Sequence, residues 1–230
     1  MFSLLYHILE MVFPTRCAGC QKISGDGALV CQGCRSKILI NQTLFCSVCR
    51  ARLPDNKKIC HKDGRYLLGA ATSYDGTIKN LIWDFKYNNR RKAADFLAEL
   101  VLEYLNRVGK TEKDFILVPI PLHRKKERKR GYNQSKIIAE KLGAVLELAV
   151  SDALIKLKDT PPQMTIGGMA ERKQNIAGSF AVNQPEKISG RNIILVDDVT
   201  TSGSTLNEAA MILKSAGAKK IIALTIARAG

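Results

Sequence analysis

Hydrophobic positions change their rhythm along the chain near residue 65. Beyond it, apolar runs and helical spacings alternate. The run 66-YLLGAATSY-74 predicts a strand. The stretches 77-TIKNLIWDFKY-87 and 91-RKAADFLAELVLEYLNRV-108 repeat apolar residues every three or four positions, as an amphipathic helix does. Then 115-FILVPIP-121 predicts a buried strand, and 133-NQSKIIAEKLG-143 a helix stopped by its glycine. Next come a buried strand at 192-NIILV-196, a helix with a glycine stop at 205-TLNEAAMILKSAG-217 and a strand at 220-KIIALTIA-227. Strands apolar on both faces, separated by helices, predict an α/β domain: a parallel sheet flanked by helices. The chain divides into this domain, 66–230, and a small N-terminal unit, 1–65.

The N-terminal unit has a different texture. Residues 1–13, MFSLLYHILEMVF, are apolar but contain His7 and Glu10 and stop at Pro14. They are too short to span a membrane. Without a basic leader or a small-residue cleavage site they read as a short packing helix. A cytoplasmic protein with reduced thiols is expected. All seven cysteines follow, as 17-CAGC-20, 31-CQGC-34, 46-CSVC-49 and Cys60. This is a repeat of C-x2-C-x10-C-x2-C offset by 29 residues, with Asp63 standing in the second unit where the first has Cys34. Paired C-x2-C knuckles present four thiolates to one tetrahedral Zn²⁺. A segment so poor in large apolar residues gains from metal the folding energy that a core would supply. An odd cysteine count and a repeated spacing speak against disulfides. One or two structural zinc ions are therefore expected, on Cys17, Cys20, Cys31 and Cys34, and on Cys46, Cys49, Cys60 and Asp63. His61 is an alternative fourth ligand, and an empty second site is another.

The stretch 194-ILVDDVTTSGST-205 carries the candidate chemistry. An apolar strand delivers Asp197 and Asp198 to the sheet rim, and Thr200, Thr201, Ser202, Gly203, Ser204 and Thr205 wrap into a helix start. Ligands of open α/β sheets bind at such carboxyl ends. Backbone N–H groups and hydroxyls at a helix N-terminus cradle phosphate. Adjacent carboxylates accept hydrogen bonds from vicinal hydroxyls, and a ribose 5-phosphate offers both features. Composition adds that Lys and Arg number 36 against 21 Asp and Glu, a formal charge of +15. That excess favours nucleic acid or phosphorylated metabolites as partners, or belongs to a soluble protein that is merely basic.

ILVDDVTTSGST resembles the phosphoribosyl-pyrophosphate (PRPP) signature of type I phosphoribosyltransferases. With the cysteine ribbons, 119-PIPLHRKKERKRGYNQS-135 and 162-PQMTIGGMAERKQNIAGSF-180, the chain resembles the ComF family of competence proteins from about Cys17 to Arg228. Asp63 departs from the pattern, since relatives often carry a last cysteine there. The resemblance implies a type I phosphoribosyltransferase-like domain behind a double zinc ribbon. It implies Asp197 and Asp198 as the catalytic pair holding the ribose hydroxyls, Mg²⁺ arriving with PRPP, and residues 200–205 on the 5-phosphate. Pyrophosphate would sit on the loop after Pro119-Ile120-Pro121. There, Arg130, Gly131 and Tyr132 suit a small anion, while Arg124, Lys125, Lys126, Arg128 and Lys129 suit a longer polyanion such as single-stranded DNA. Tyr132 either stacks on a base or is structural. Residues 158–180 correspond to the flexible loop that closes over PRPP, with Arg172, Lys173 and Asn175 as contacts, or form a plain linker with a helical turn at 169–175. No pocket for an acceptor base is legible. Two functions stand: a PRPP- and DNA-binding protein of DNA uptake in natural transformation, alongside other uptake proteins, and a transferase acting on an unidentified base.

Overall fold

The computed structural model describes residues 15–24, 27–56, 59–109, 114–161 and 168–229. The expected helix at 1–13 and residues 162–167 of the aperiodic stretch lie outside them, as does the side chain of Lys173. In the N-terminal unit, a one-turn helix α1 (Gln32–Arg35) precedes two short strands, β1 (Leu44–Cys46) and β2 (Arg52–Leu53). Then follow β3 (Leu67–Ser73), α2 (Gly76–Tyr87), α3 (Ala93–Val108), β4 (Phe115–Pro119), α4 (Arg124–Arg130) and α5 (Gln134–Leu146). The chain closes with β5 (Leu154–Lys156), α6 (Met169–Ile176), β6 (Phe180–Val182), β7 (Asn192–Thr200), α7 (Ser204–Ser215) and β8 (Ile221–Arg228). Among the described residues no helix is long and apolar enough to cross a membrane.

The main sheet has the order β2-β1-β3-β8-β7-β4. β3, β8, β7 and β4 run parallel, as their apolar runs predict. These strands are apolar on both sides because both sides are covered. In β7, Ile194 and Val196 join a core with Phe85 of α2, Leu97 and Tyr104 of α3, and Leu142 of α5. Ile193 and Leu195 join the other, with Leu206, Ala210 and Leu213 of α7. β5 and β6 form a separate antiparallel pair.

Three expectations change. The sheet is not purely parallel and does not begin at residue 66. β1 pairs antiparallel with β3, Phe45 opposite Leu68 and Cys46 opposite Leu67. An edge strand left bare would expose a row of backbone groups, and the ribbon supplies the strand that covers it. Ala18, Val30, Leu44 and Leu53 bury into the same core as the α/β helices. Second, α5 does not stop at Gly143 but continues to Leu146, and Glu147 closes it in the left-handed region at φ 57°. The glycine answers to packing, because a Cβ there would sit 2.8 Å from the Leu148 carbonyl oxygen. Third, the basic segment 124–130 is a helix rather than a loop. His123 Nδ1 accepts from the Lys125 N–H at its start, and Gly131 ends it at φ 83°.

Candidate functional site

At the carboxyl ends of β7 and β4 lies a cleft of about 660 Å³, a size usual for small-molecule sites. β7 runs to Thr200, so Asp197 and Asp198 are held by sheet pairing rather than by a loop. Both line the cleft. Asp198 Oδ1 accepts a hydrogen bond from Lys86 Nζ at 2.8 Å, an ion pair in which both side chains are mostly buried. Burial opposes the charge on Lys86, but attraction to Asp198, and to Asp197 behind it, raises it above its ordinary value. Asp197 Oδ1 accepts from Ser135 Oγ at 3.0 Å and from the Asp198 N–H at 2.9 Å. Burial, and then repulsion from Asp198, nevertheless pushes its carboxyl up to about 7. Neighbouring acids thus sit in unlike states, one paired with a cation and one strained.

The loop that follows leads into α7. Gly203, at φ 73°, opens α7, and Asn207 N–H donates to its carbonyl. A side chain on Gly203 would meet Tyr66 Oη at 3.3 Å and Arg50 Nη2 at 3.4 Å. Ser202 and Ser204 share a hydroxyl hydrogen bond of 2.8 Å. Thr200 is buried, and its Oγ1 finds no partner among the described residues. The helix dipole at the start of α7 favours negative charge there. Thr200, Thr201, Ser202, Gly203, Ser204 and Thr205 all line the cleft.

The RGYNQS segment builds the facing wall. Gly131 terminates α4. Tyr132 is buried, donates to the Phe85 carbonyl, stacks on Phe85 with ring centroids 5.5 Å apart and lies under Arg91. Its ring has no face left for a base. Asn133 caps α5 through Ser135 N–H and ties it to the Ile120 carbonyl. Gln134 is buried; it accepts from Arg130 at 2.6 Å and donates to Phe85 at 3.4 Å. Arg130 lines the cleft, whereas Gly131 and Tyr132 do not. The polyanion set divides: Lys126 and Lys129 line the cleft, while Arg124, Lys125 and Arg128 are exposed on α4 away from it. Sequence reasoning missed Lys86, Ser135 and Lys156, which also line the cleft. Burial, and then the nearby Lys126, lowers Lys156 to about 8. Lys86 and Lys156 stand in no charge run or motif, and Ser135 ends the RGYNQS segment without a charge to mark it; proximity in the fold picks out all three. Arg172 and Asn175 lie on α6, and neither lines the cleft.

The cysteines gather into two clusters. Cys17, Cys20, Cys31 and Cys34 form one, with ligand atoms all within 4.8 Å of one another. Cys20 and Cys31 sulfurs are 3.9 Å apart, close to the edge of about 3.8 Å that four Zn–S bonds impose on a tetrahedron. Cys46, Cys49, Cys60 and His61 form the other. Asp63 is outside it. His61 follows Cys60 directly, and its Nδ1 reaches Cys60 Sγ at 3.2 Å and Cys46 Sγ at 3.6 Å. A turn closed by Gly64 N–H on the His61 carbonyl leaves Asp63 exposed to solvent. The repeat is visible in the backbone: Gln21 and Arg50, equivalent positions, both take φ 62° and donate to the carbonyls of Cys17 and Cys46. Both ligand sets fit zinc, and both are closed.

Comparison with known proteins follows this division. Residues 99–230 match the phosphoribosyl transferase domain, and residues 8–60 match the double zinc ribbon domain. The chain is 28% identical to competence protein F of Haemophilus influenzae over 94% of this chain and 98% of that protein. It is 26% identical to DNA utilization protein YhgH of Escherichia coli over 84% of this chain and 93% of that one. With competence protein ComFC of Bacillus subtilis it shares 26% identity over 86% and 84%. A solved allosteric regulatory enzyme of purine biosynthesis aligns at a TM-score of 0.41 and 15% identity, over 59% of this chain and 26% of the enzyme.

Proposed function

Because the chain belongs to the phosphoribosyl transferase domain family, we propose that its cleft binds PRPP and that the protein handles single-stranded DNA during uptake in natural transformation. The carrying observation is the joint placement of Asp197, Asp198 and the loop 200–205 in one cleft. The loop takes the 5-phosphate through its N–H groups and hydroxyls. The acids accept the ribose hydroxyls, with Lys86 and Ser135 fixing their orientation. Arg130, Lys126 and Lys156 stand by for the pyrophosphate. Mg²⁺ arrives on the phosphate oxygens of PRPP, and the oxygen-rich lining suits that hard cation. The DNA reading rests on the +15 charge, on the exposed Arg124, Lys125 and Arg128, and on relatives named for competence and DNA utilization. Such work belongs in the cytoplasm, beside other uptake proteins.

A calorimetric titration with PRPP and Mg²⁺ tests the cleft, run beside Asp197→Ala/Asp198→Ala. Binding by the wild type and none by the variant is the expected result. No binding by the wild type overturns the PRPP reading. Fluorescence titration with oligo-dT at rising salt tests the DNA reading, and affinity independent of salt would end it.

A second reading keeps the chemistry. Both acids and the flanking cations are present, which is what departure of pyrophosphate from C1 requires. The C1–O bond breaks as an acceptor nitrogen forms its bond to C1, and release of pyrophosphate in a screen of bases would distinguish transfer from binding alone.

A further inference from the structure

α2 turns one stripe of its surface to solvent. Ile78, Leu81, Ile82 and Phe85 are buried in the core. Lys79, Trp83 and Tyr87, each four residues from the next and so on one face of the helix, are exposed. Trp83, 53% open to solvent, and Tyr87, 52% open, are the exposed aromatic side chains among the described residues. Their ring centroids lie 4.4 Å apart, with the planes tilted by 48°. Arg130 of α4 stands over the Tyr87 ring at 5.3 Å. The acid next to Trp83 is already engaged: Asp84 accepts from Asn88 at 2.7 Å and from Arg90 at 3.0 Å. Tyr87 and Arg130 both line the cleft. The stripe therefore runs from open solvent to the cleft mouth, with a cation at either end.

We propose that Trp83, braced by Tyr87, is a stacking platform for a base of single-stranded DNA whose backbone runs along the basic helix α4. Tyr87 has Arg130 over its ring and Trp83 against it, so it serves as the brace. Trp83, more than half open, keeps a ring face for a base. Every base offers a π-face, and single-strand sites combine such rings with a positive track for the backbone. The neighbours of Trp83 select this partner. An apolar protein helix would need aliphatic surface to pack on, and α2 exposes no aliphatic side chain. Duplex DNA keeps its bases stacked on one another and has no face to give. The platform deepens the DNA reading proposed above and rests on it; PRPP binding is independent of it.

Trp83 is the chain's only tryptophan, so its emission reports on this site alone. The zinc-loaded full chain is titrated with oligo-dT at low salt, following tryptophan emission and, with a labelled strand, anisotropy. Quenching that saturates together with binding is the expected result. Trp83→Ala should bind oligo-dT about tenfold more weakly, with an unchanged salt slope, because stacking releases no counterion. Trp83→Phe should recover most of that loss. An abasic strand of the same length should bind wild type and Trp83→Ala alike and leave the emission unchanged. The quenching measurement needs no substitution, so it stands even if a variant misfolds. Tyr87 is left in place because it lines the cleft. Binding of oligo-dT without quenching, and with equal affinity in Trp83→Ala, overturns the platform and leaves the DNA reading standing. No binding by the wild type overturns both. Quenching by free nucleobases in the presence of PRPP, and none by oligo-dT, would give the ring to an acceptor base and overturn the DNA occupant.

Discussion

Asp197 and Asp198 are neighbours in sequence, yet the structure predicts that replacing each by Asn shifts stability in opposite directions. Asp197 titrates near 7 in the folded protein, against 3.8 for an ordinary aspartate. The folded chain therefore keeps a proton that the unfolded chain has lost between these values. Stability falls as pH rises across that window and levels off above it. The distance between these two values caps the cost at about 4 kcal/mol. Water entering the open cleft relieves part of it, leaving about 1–2 kcal/mol as the expected cost. Asn keeps an oxygen for the Ser135 hydroxyl and the Asp198 N–H but carries no charge. Asp197→Asn should thus raise the melting temperature by about 3–8 °C at pH 8, with the gain vanishing near pH 4.

Asp198→Asn does the reverse. It removes the carboxylate that Lys86 hydrogen-bonds and leaves the mostly buried cation only the weaker attraction of Asp197, and breaking such a pair costs up to about 3–5 kcal/mol. Its melting temperature should fall at pH 8 by about 6 °C or more. Both variants should lose PRPP affinity, so binding and stability separate at Asp197 and move together at Asp198. Differential scanning calorimetry of the two variants at pH 5 and pH 8 decides the matter. Shifts of the same sign at pH 8 refute the assignment of unlike states to the two acids.

Two further outcomes bear on the ribbon and the basic helix. Elemental analysis should give two zinc ions per chain, about one after His61→Ala, and still two after Asp63→Asn; loss on the Asp63 variant would return the ligand role to that acid. Replacing Arg124, Lys125 and Arg128 by Gln should flatten the salt dependence of oligo-dT binding by about two released counterions and leave PRPP affinity intact. Equal loss of both ligands would mean that one anion site serves them.

The parallel strands were legible because each is buried on both faces and so reads as an unbroken apolar run. The zinc ligands were legible from spacing, except the last. Position 63 aligns with Cys34 in the repeat, but ligand reach depends on side-chain length and on the turn at 61–64, and His61 wins on both. The helix at 124–130 escaped detection because it has no apolar face; its evidence is a capping His123 and a left-handed Gly131, single residues beside a run of charge. β1 was hidden for another reason. Three residues leading into a cysteine knuckle become a strand only through pairing with β3, a long-range contact that local pattern does not carry. Lys86 looked like one more polar position on an amphipathic helix, and its partner lies 112 residues away.

The ribbon's position argues for a part in the cleft itself. Cys46 is at once a strand residue paired with Leu67 and a member of the second metal cluster. Four residues later, Arg50 turns in the left-handed region and lays its guanidinium against Gly203, with Tyr66 beside it. Metal in this cluster would therefore steady the turn that places Arg50 against Gly203. The first cluster anchors elsewhere. Asn80 of α2 donates to the Ala18 carbonyl, and Arg35 of α1 bridges Glu99 and Glu103 of α3. With one cluster tied to the helices and the other to the sheet edge and the loop, the ribbon closes over the rim of the α/β domain at two places. A knuckle that shares a strand with the sheet and a contact with Gly203 supports the cleft from behind, although every residue that lines the cleft comes from the α/β domain.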